Sequence, residues 1–74
     1  MSKIKVHLET GNDCATFVGI ATGIEEPVYL EDANGLVVNA KSLMGVMYGK
    51  CEFTELWVKS ENPNLASKFI KFII

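Results

Sequence analysis

One histidine, two cysteines and a scatter of hydroxyls and carboxylates are all that this 74-residue chain offers for chemistry. His7 stands alone, with no second histidine and no cysteine at metal-ligand spacing, so a metal site has no companion ligands. Cys14 and Cys51 lie far apart and lack the paired grouping of zinc sites. They form one disulfide, or they are two thiols packed as small apolar residues. A single histidine placed in a strand pattern has no nucleophile partner for a Ser-His-Asp arrangement, and no glycine-rich loop follows a strand to cradle phosphate. The chain reads as neither an enzyme nor a cofactor carrier. Seven cations, all of them lysine, face nine carboxylates for a net charge of −2. The lysines do not cluster, which argues against a nucleic-acid partner held through phosphate contacts. Without arginine there is also no bidentate anion clamp.

Two stretches keep chemical interest because each sits where a helix should start. At Thr10-Gly11-Asn12-Asp13, turn residues break a strand pattern, and Asn12 or Asp13 can cap the following helix. A helix N-terminus attracts phosphate, but the Asp13 carboxylate stationed there would repel an incoming phosphoryl group. Thr10, Asp13 and Cys14 are the candidate alternative acceptors there. The second stretch is Lys41-Ser42-Leu43. Ser42 is an N-cap candidate, and a phosphate on it would gain from free N–H groups and the helix dipole.

The elements that position these residues follow from periodicity. Ile4, Val6 and Leu8 alternate with Lys3, Lys5 and His7, a strand with one buried face. Cys14 to Thr22 has Phe17, Val18 and Ala21 at helical spacing, closed by Gly23 as a C-cap. Val28 and Leu30 restart a period of two, Asp32-Ala33-Asn34-Gly35 signals a tight turn, and Leu36-Val37-Val38 returns as a hairpin strand. A short helix should run from Ser42 to about Tyr48 and end at Gly49. Leu56 and Val58 flank Trp57 in a fourth strand. Pro63 then suits a first helical position, with Leu65, Phe69 and either Phe72 or Ile73 as the apolar stripe. The expected order is β-α-β-β-α-β-α in one domain spanning residues 1–74. It predicts an α+β fold: one antiparallel or mixed sheet with helices on one face and a polar, solvated face opposite. The apolar fraction of 49% supports one core, although a chain of this size buries only about 60% of its unfolded surface. The opening Met1-Ser2-Lys3-Ile4-Lys5 runs directly into the strand pattern, which predicts no leader. No apolar run approaches the ~20 residues of a membrane span. The expectation is a cytoplasmic protein in a reducing compartment.

The segment Asn39-Ala40-Lys41-Ser42-Leu43-Met44-Gly45-Val46-Met47 is more specific. It resembles the regulatory-serine segment of the HPr family, the phosphocarriers of the bacterial phosphoenolpyruvate-dependent sugar phosphotransferase system, where Asn-Leu-Lys-Ser-Ile-Met-Gly-Val-Met is typical. Only Ala40 and Leu43 depart from that pattern. The element order also matches, so the resemblance covers the whole chain in topology and about ten residues in sequence. It implies an open-faced β-sandwich with a four-stranded antiparallel sheet. In the family, phosphate is carried on a histidine within Gly-Ile-His-Ala-Arg-Pro-Ala at the start of the first helix. Here Thr10, Gly11 and Asn12 stand near that position, and the histidine, arginine and proline are missing. His7, read as inside the first strand, cannot take over.

The resemblance is therefore to the histidine-less, Crh-like members. It implies a regulatory or adaptor module, with Ser42 as the phosphorylation site and Lys41, Leu43, Met44 and Met47 as the partner-binding surface. The implied partners are proteins, an HPr serine kinase and a LacI-type regulator, as in carbon catabolite repression, with the chain a monomer or a weak dimer. The alternatives are a divergent phosphocarrier with a non-histidine acceptor and a relict fold used for unrelated binding. A seven-residue helix has little room for two faces, so periodicity does not separate core from surface for Leu43 and Met47. The resemblance places Met44 outside and Val46 inside. It also assigns Gly45 to a close contact with a neighbouring element.

Overall fold

The computed structural model describes residues 2–74. Strand β1 (Ser2–Val6) leads into helix α1 (Gly11–Thr22), followed by β2 (Val28–Glu31), β3 (Val37–Asn39), α2 (Leu43–Glu52), β4 (Leu56–Ser60) and α3 (Leu65–Lys68). A 3-10 turn over Ile70–Phe72 follows α3. The strands form one antiparallel sheet in the order β1-β4-β2-β3. The fold is α+β with an open four-stranded sheet, the architecture expected of an open-faced sandwich.

Alternation decides which face is covered. Opposite Val58 of the central strand β4 lie Ile4 on one side and Leu30 on the other. Leu56, Val58 and Leu30 point inward and are buried, together with Val6, Val28 and Leu8. Helix α1 supplies Cys14, Phe17 and Ala21 to this core, and α2 supplies Val46. The Phe17 ring lies 4.6 Å from that of Phe69 and 5.9 Å from that of Phe72, so the C-terminal turns close the same core.

The opposite face carries charge, as expected, but the charges are paired. The Glu31 carboxylate bridges Lys3 at 3.0 Å and Lys59 at 3.4 Å. Glu55 meets Lys5 at 3.4 Å and accepts the Trp57 indole N–H at 3.1 Å. The Lys3 and Lys5 ammonium groups stand 5.3 and 5.9 Å from the Trp57 ring, a cation–π arrangement that keeps a large aromatic ring on an open sheet face.

Several boundaries differ from the sequence reading. Helix α1 begins at Gly11 instead of Cys14. Thr10 is its N-cap in place of Asn12 or Asp13: the Thr10 hydroxyl accepts from Asp13 N–H at 3.1 Å while the Asp13 carboxylate turns back onto Thr10 N–H, a capping box. Gly23 does end α1, but in a right-handed conformation with φ −75°. Helix α2 passes through Gly49 to Glu52, because Gly49 lets the helix approach Leu30 and Phe53 closely: a Cβ there would sit 3.1 Å from Leu30 Cδ2 and 3.2 Å from the Phe53 ring.

The last helix does not start at Pro63 and is short: α3 ends at Lys68, and a 3-10 turn carries the chain on through Phe72, with Phe69 and Phe72 both buried. Phe72, and not Ile73, is the buried member of the expected pair. Ile73 instead bridges to Val6 along the edge of β1. His7 accordingly lies beyond β1 and donates its backbone N–H to Phe72 C=O at 2.8 Å.

Between β2 and β3 the turn is made as its residues predict. Gly35 adopts φ +88°, a value that other residues reach only with strain. Asp32 N–H donates to Leu36 C=O and Gly35 N–H to Asp32 C=O.

Candidate functional site

Helix α2 is built from its N-cap outward. Ser42 has extended backbone, and its hydroxyl accepts from Gly45 N–H at 3.1 Å. The approach to the cap is fixed on both sides. Asn39 Oδ1 accepts from Lys41 N–H at 2.9 Å, and Asn39 C=O accepts from Ser42 N–H at 3.1 Å. The Lys41 ammonium donates to Ile24 C=O at 2.6 Å, which ties this lysine to the body of the protein. A Cβ on Gly45 would meet Asn39 C=O at 3.3 Å, the close contact expected of that glycine. No acidic residue occupies the first turn of α2, so nothing there opposes a phosphate on Ser42.

The helix has two faces. Val46 and Gly49 are buried against the sheet. Leu43 is 45% exposed, Met44 82%, Met47 46% and Tyr48 56%. Met44 outside and Val46 inside agree with the sequence reading, and Leu43 and Met47, which periodicity left open, are both on the surface. Tyr48 belongs to this surface and packs its ring edge-on against Phe53 at 6.2 Å. It shares no face with Trp57, which lies on the far side of the sheet. The spacing Met44 to Tyr48, one helical turn, was the available signal. Cys51, expected in the core, is exposed one turn beyond Met47, because α2 runs on past Gly49. Cys14 is buried and free, and burial pushes its thiol pKa up.

The start of α1 is arranged differently. The Asp13 carboxylate accepts from Glu9 N–H at 2.9 Å and from Thr10 N–H at 3.3 Å. The Glu9 N–H does most to hold its pKa below the usual aspartate value; desolvation opposes it, and Thr10 N–H, Lys71 and His7 add to the lowering. Gly11 and Asn12 are the exposed first residues of the helix. An open cleft of about 490 Å³ beside this turn is lined by His7, Glu9, Asp13 and Lys71 and by the C-terminal residues 72–74. His7 Nε2 lies 3.4 Å from a Glu9 carboxylate oxygen. Thus the Thr10 hydroxyl and the Asp13 carboxylate are both committed to capping.

Asp32 is a buried carboxylate that the sequence presented only as a turn residue. At 3% exposure its Oδ1 accepts from Ala33 N–H at 2.8 Å, Thr54 Oγ1 at 3.0 Å, Thr54 N–H at 3.1 Å and Glu55 N–H at 3.3 Å. Burial raises its pKa, but donors led by Glu55 N–H and the Thr54 hydroxyl outweigh that and lower it overall. The group joins the β2–β3 turn to the segment between α2 and β4, and so braces the far end of the exposed helix.

Among the described residues no helix is long and apolar enough to cross a membrane. No protein-family model matches this chain, and no curated protein matches it.

Proposed function

We propose that this chain is a non-catalytic, HPr-like regulatory module that docks partner proteins through α2, with Ser42 as its switch. The observation that carries the reading is the apolar surface of Leu43, Met44, Met47 and Tyr48 lying directly after an N-cap serine. Exposed methionines suit adaptable protein contacts, and a contiguous apolar patch of this kind marks an interaction surface. Transfer of a phosphoryl group from ATP to Ser42 Oγ, by an HPr serine kinase, places about −1.5 to −2 charge beside that patch. The first-turn N–H groups of α2 stabilise the phosphate, and a LacI-type regulator reads phosphate and patch together in the cytoplasm. The phosphotransferase connection rests on the resemblance around Ser42.

The test is a binding titration of the Ser42-phosphorylated chain against a purified LacI-type regulator, with Met44→Glu as the variant. The expected result is a loss of affinity of about tenfold or more, as for removal of a central apolar contact, with an unchanged melting temperature because Met44 is 82% exposed. Equal affinity of variant and wild type would overturn the reading.

A further inference from the structure

The exposed side of α2 is more ordered than a patch. Leu43, Met47 and Cys51 fall at i, i+4 and i+8, with Met44 and Tyr48 one turn apart beside them, so the stripe covers roughly 140° of the helix surface. Cys51 sits near its midline. Its sequence neighbours Lys50 and Glu52 flank that midline on opposite sides, one cation and one carboxylate. Neither makes an ion pair among the described residues, whereas Lys3, Lys5 and Lys59 are all paired.

We propose that this stripe is a self-docking surface: two copies of the chain pack α2 against α2 in parallel about a two-fold axis, Cys51 facing Cys51 and Lys50 of each copy opposite Glu52 of the other. The orientation follows from the charges. In a parallel two-fold pair the left flank of one helix faces the right flank of its mate at the same height, so the Lys50–Glu52 contact forms twice. An antiparallel pair sets like flanks together, leaves Lys50 and Glu52 unmatched and places Cys51 opposite Leu43. Five side chains per copy are few beside the roughly 20–30 of a standard interface. The dimer is therefore weak, with a dissociation constant on the order of hundreds of micromolar. It covers the same apolar residues that a heterologous partner would use, so the two associations exclude one another. Self-docking does not depend on the regulatory reading, since it draws only on the composition of the stripe.

Two measurements on the full chain test it. Sedimentation equilibrium up to about 1 mM should show a monomer–dimer equilibrium that Met44→Glu weakens at least tenfold. Copper-phenanthroline with dioxygen as electron acceptor should join two Cys51 thiols into one disulfide with loss of two protons and two electrons. The linked dimer should be absent in Cys51→Ser, slowed at least fivefold in Lys50→Glu, and restored in the charge-swapped Lys50→Glu/Glu52→Lys. A monomer throughout the concentration range overturns the proposal. So does a dimer that fails to cross-link, or cross-linking that proceeds equally in wild type, Met44→Glu and Lys50→Glu. None of these outcomes involves a LacI-type regulator, so failure of heterologous docking leaves them untouched.

Discussion

Asp32 shows at the scale of single residues how much a turn signal conceals. The run Asp32-Ala33-Asn34-Gly35 announces a turn, and Gly35 makes it with a positive φ. Nothing in the run says that the aspartate is buried and gathers four donor contacts on one oxygen, because Thr54 and Glu55 lie more than twenty residues away. Removing it strands those donors, so Asp32→Ala should lower the melting temperature by about 10 °C, measured by thermal scans at pH 7. The pH dependence has a fixed sign. Folding lowers the Asp32 pKa below its ordinary 3.8, so its stabilisation is complete above the ordinary aspartate range. It is lost as pH falls through the lower, folded value. Asp32→Asn should flatten the fall of melting temperature below about pH 4; an unchanged acid slope would show that other carboxylates govern it. The cap of α1 is similar in kind. Composition offered Asn12 and Asp13, yet Thr10 wins because Asp13 at the third helical position reciprocates its bond. Thr10→Ala should cost about 1 kcal/mol in denaturant unfolding.

Among the helices, periodicity located every one; Gly23 closes α1 as read, whereas the end of α2 was misjudged where Gly49 was taken as punctuation. Gly49 reads as a stop, but it is interior, and its missing Cβ lets α2 lie against Leu30 and Phe53. Gly19 in α1 has no atom beyond its own stretch of helix within 4 Å of where a Cβ would stand. The two glycines should therefore respond oppositely to alanine. Gly19→Ala should stabilise by about 0.5–1 kcal/mol through helix propensity alone. At Gly49 the same propensity gain is opposed by contacts at 3.1–3.2 Å with a leucine methyl and a phenylalanine ring. Overpacking of this kind costs about 1–3 kcal/mol, so Gly49→Ala should destabilise. Urea unfolding of both variants checks the pair, and equal effects would mean that α2 does not press on the sheet as described. The split of α3 was not legible because two phenylalanines three apart fit either an α-helix or a 3-10 turn. The core around Phe17 decides between them.

At the scale of the whole molecule, the element order, the hairpin and the polar outer face were all readable, because each rests on local alternation and turn chemistry. Strand order was not readable, since β4 enters between β1 and β2 through contacts far apart in sequence. The candidate site divides the same way. Ser42 as a cap, Met44 outside and Val46 inside were legible, whereas Cys51 became part of the surface only once α2 proved longer than Gly49 implied. The resulting molecule presents two unlike surfaces: a sheet face whose charges are satisfied internally, and a helix face whose apolar side chains are not. The regulatory role proposed for the chain works through the second. The most direct test is intact-mass spectrometry after incubation with an HPr serine kinase and ATP, beside a Ser42→Ala control. The expected result is a single added phosphate on wild type and none on the variant. No phosphate on either, or equal phosphate on both, would contradict Ser42 as the switch.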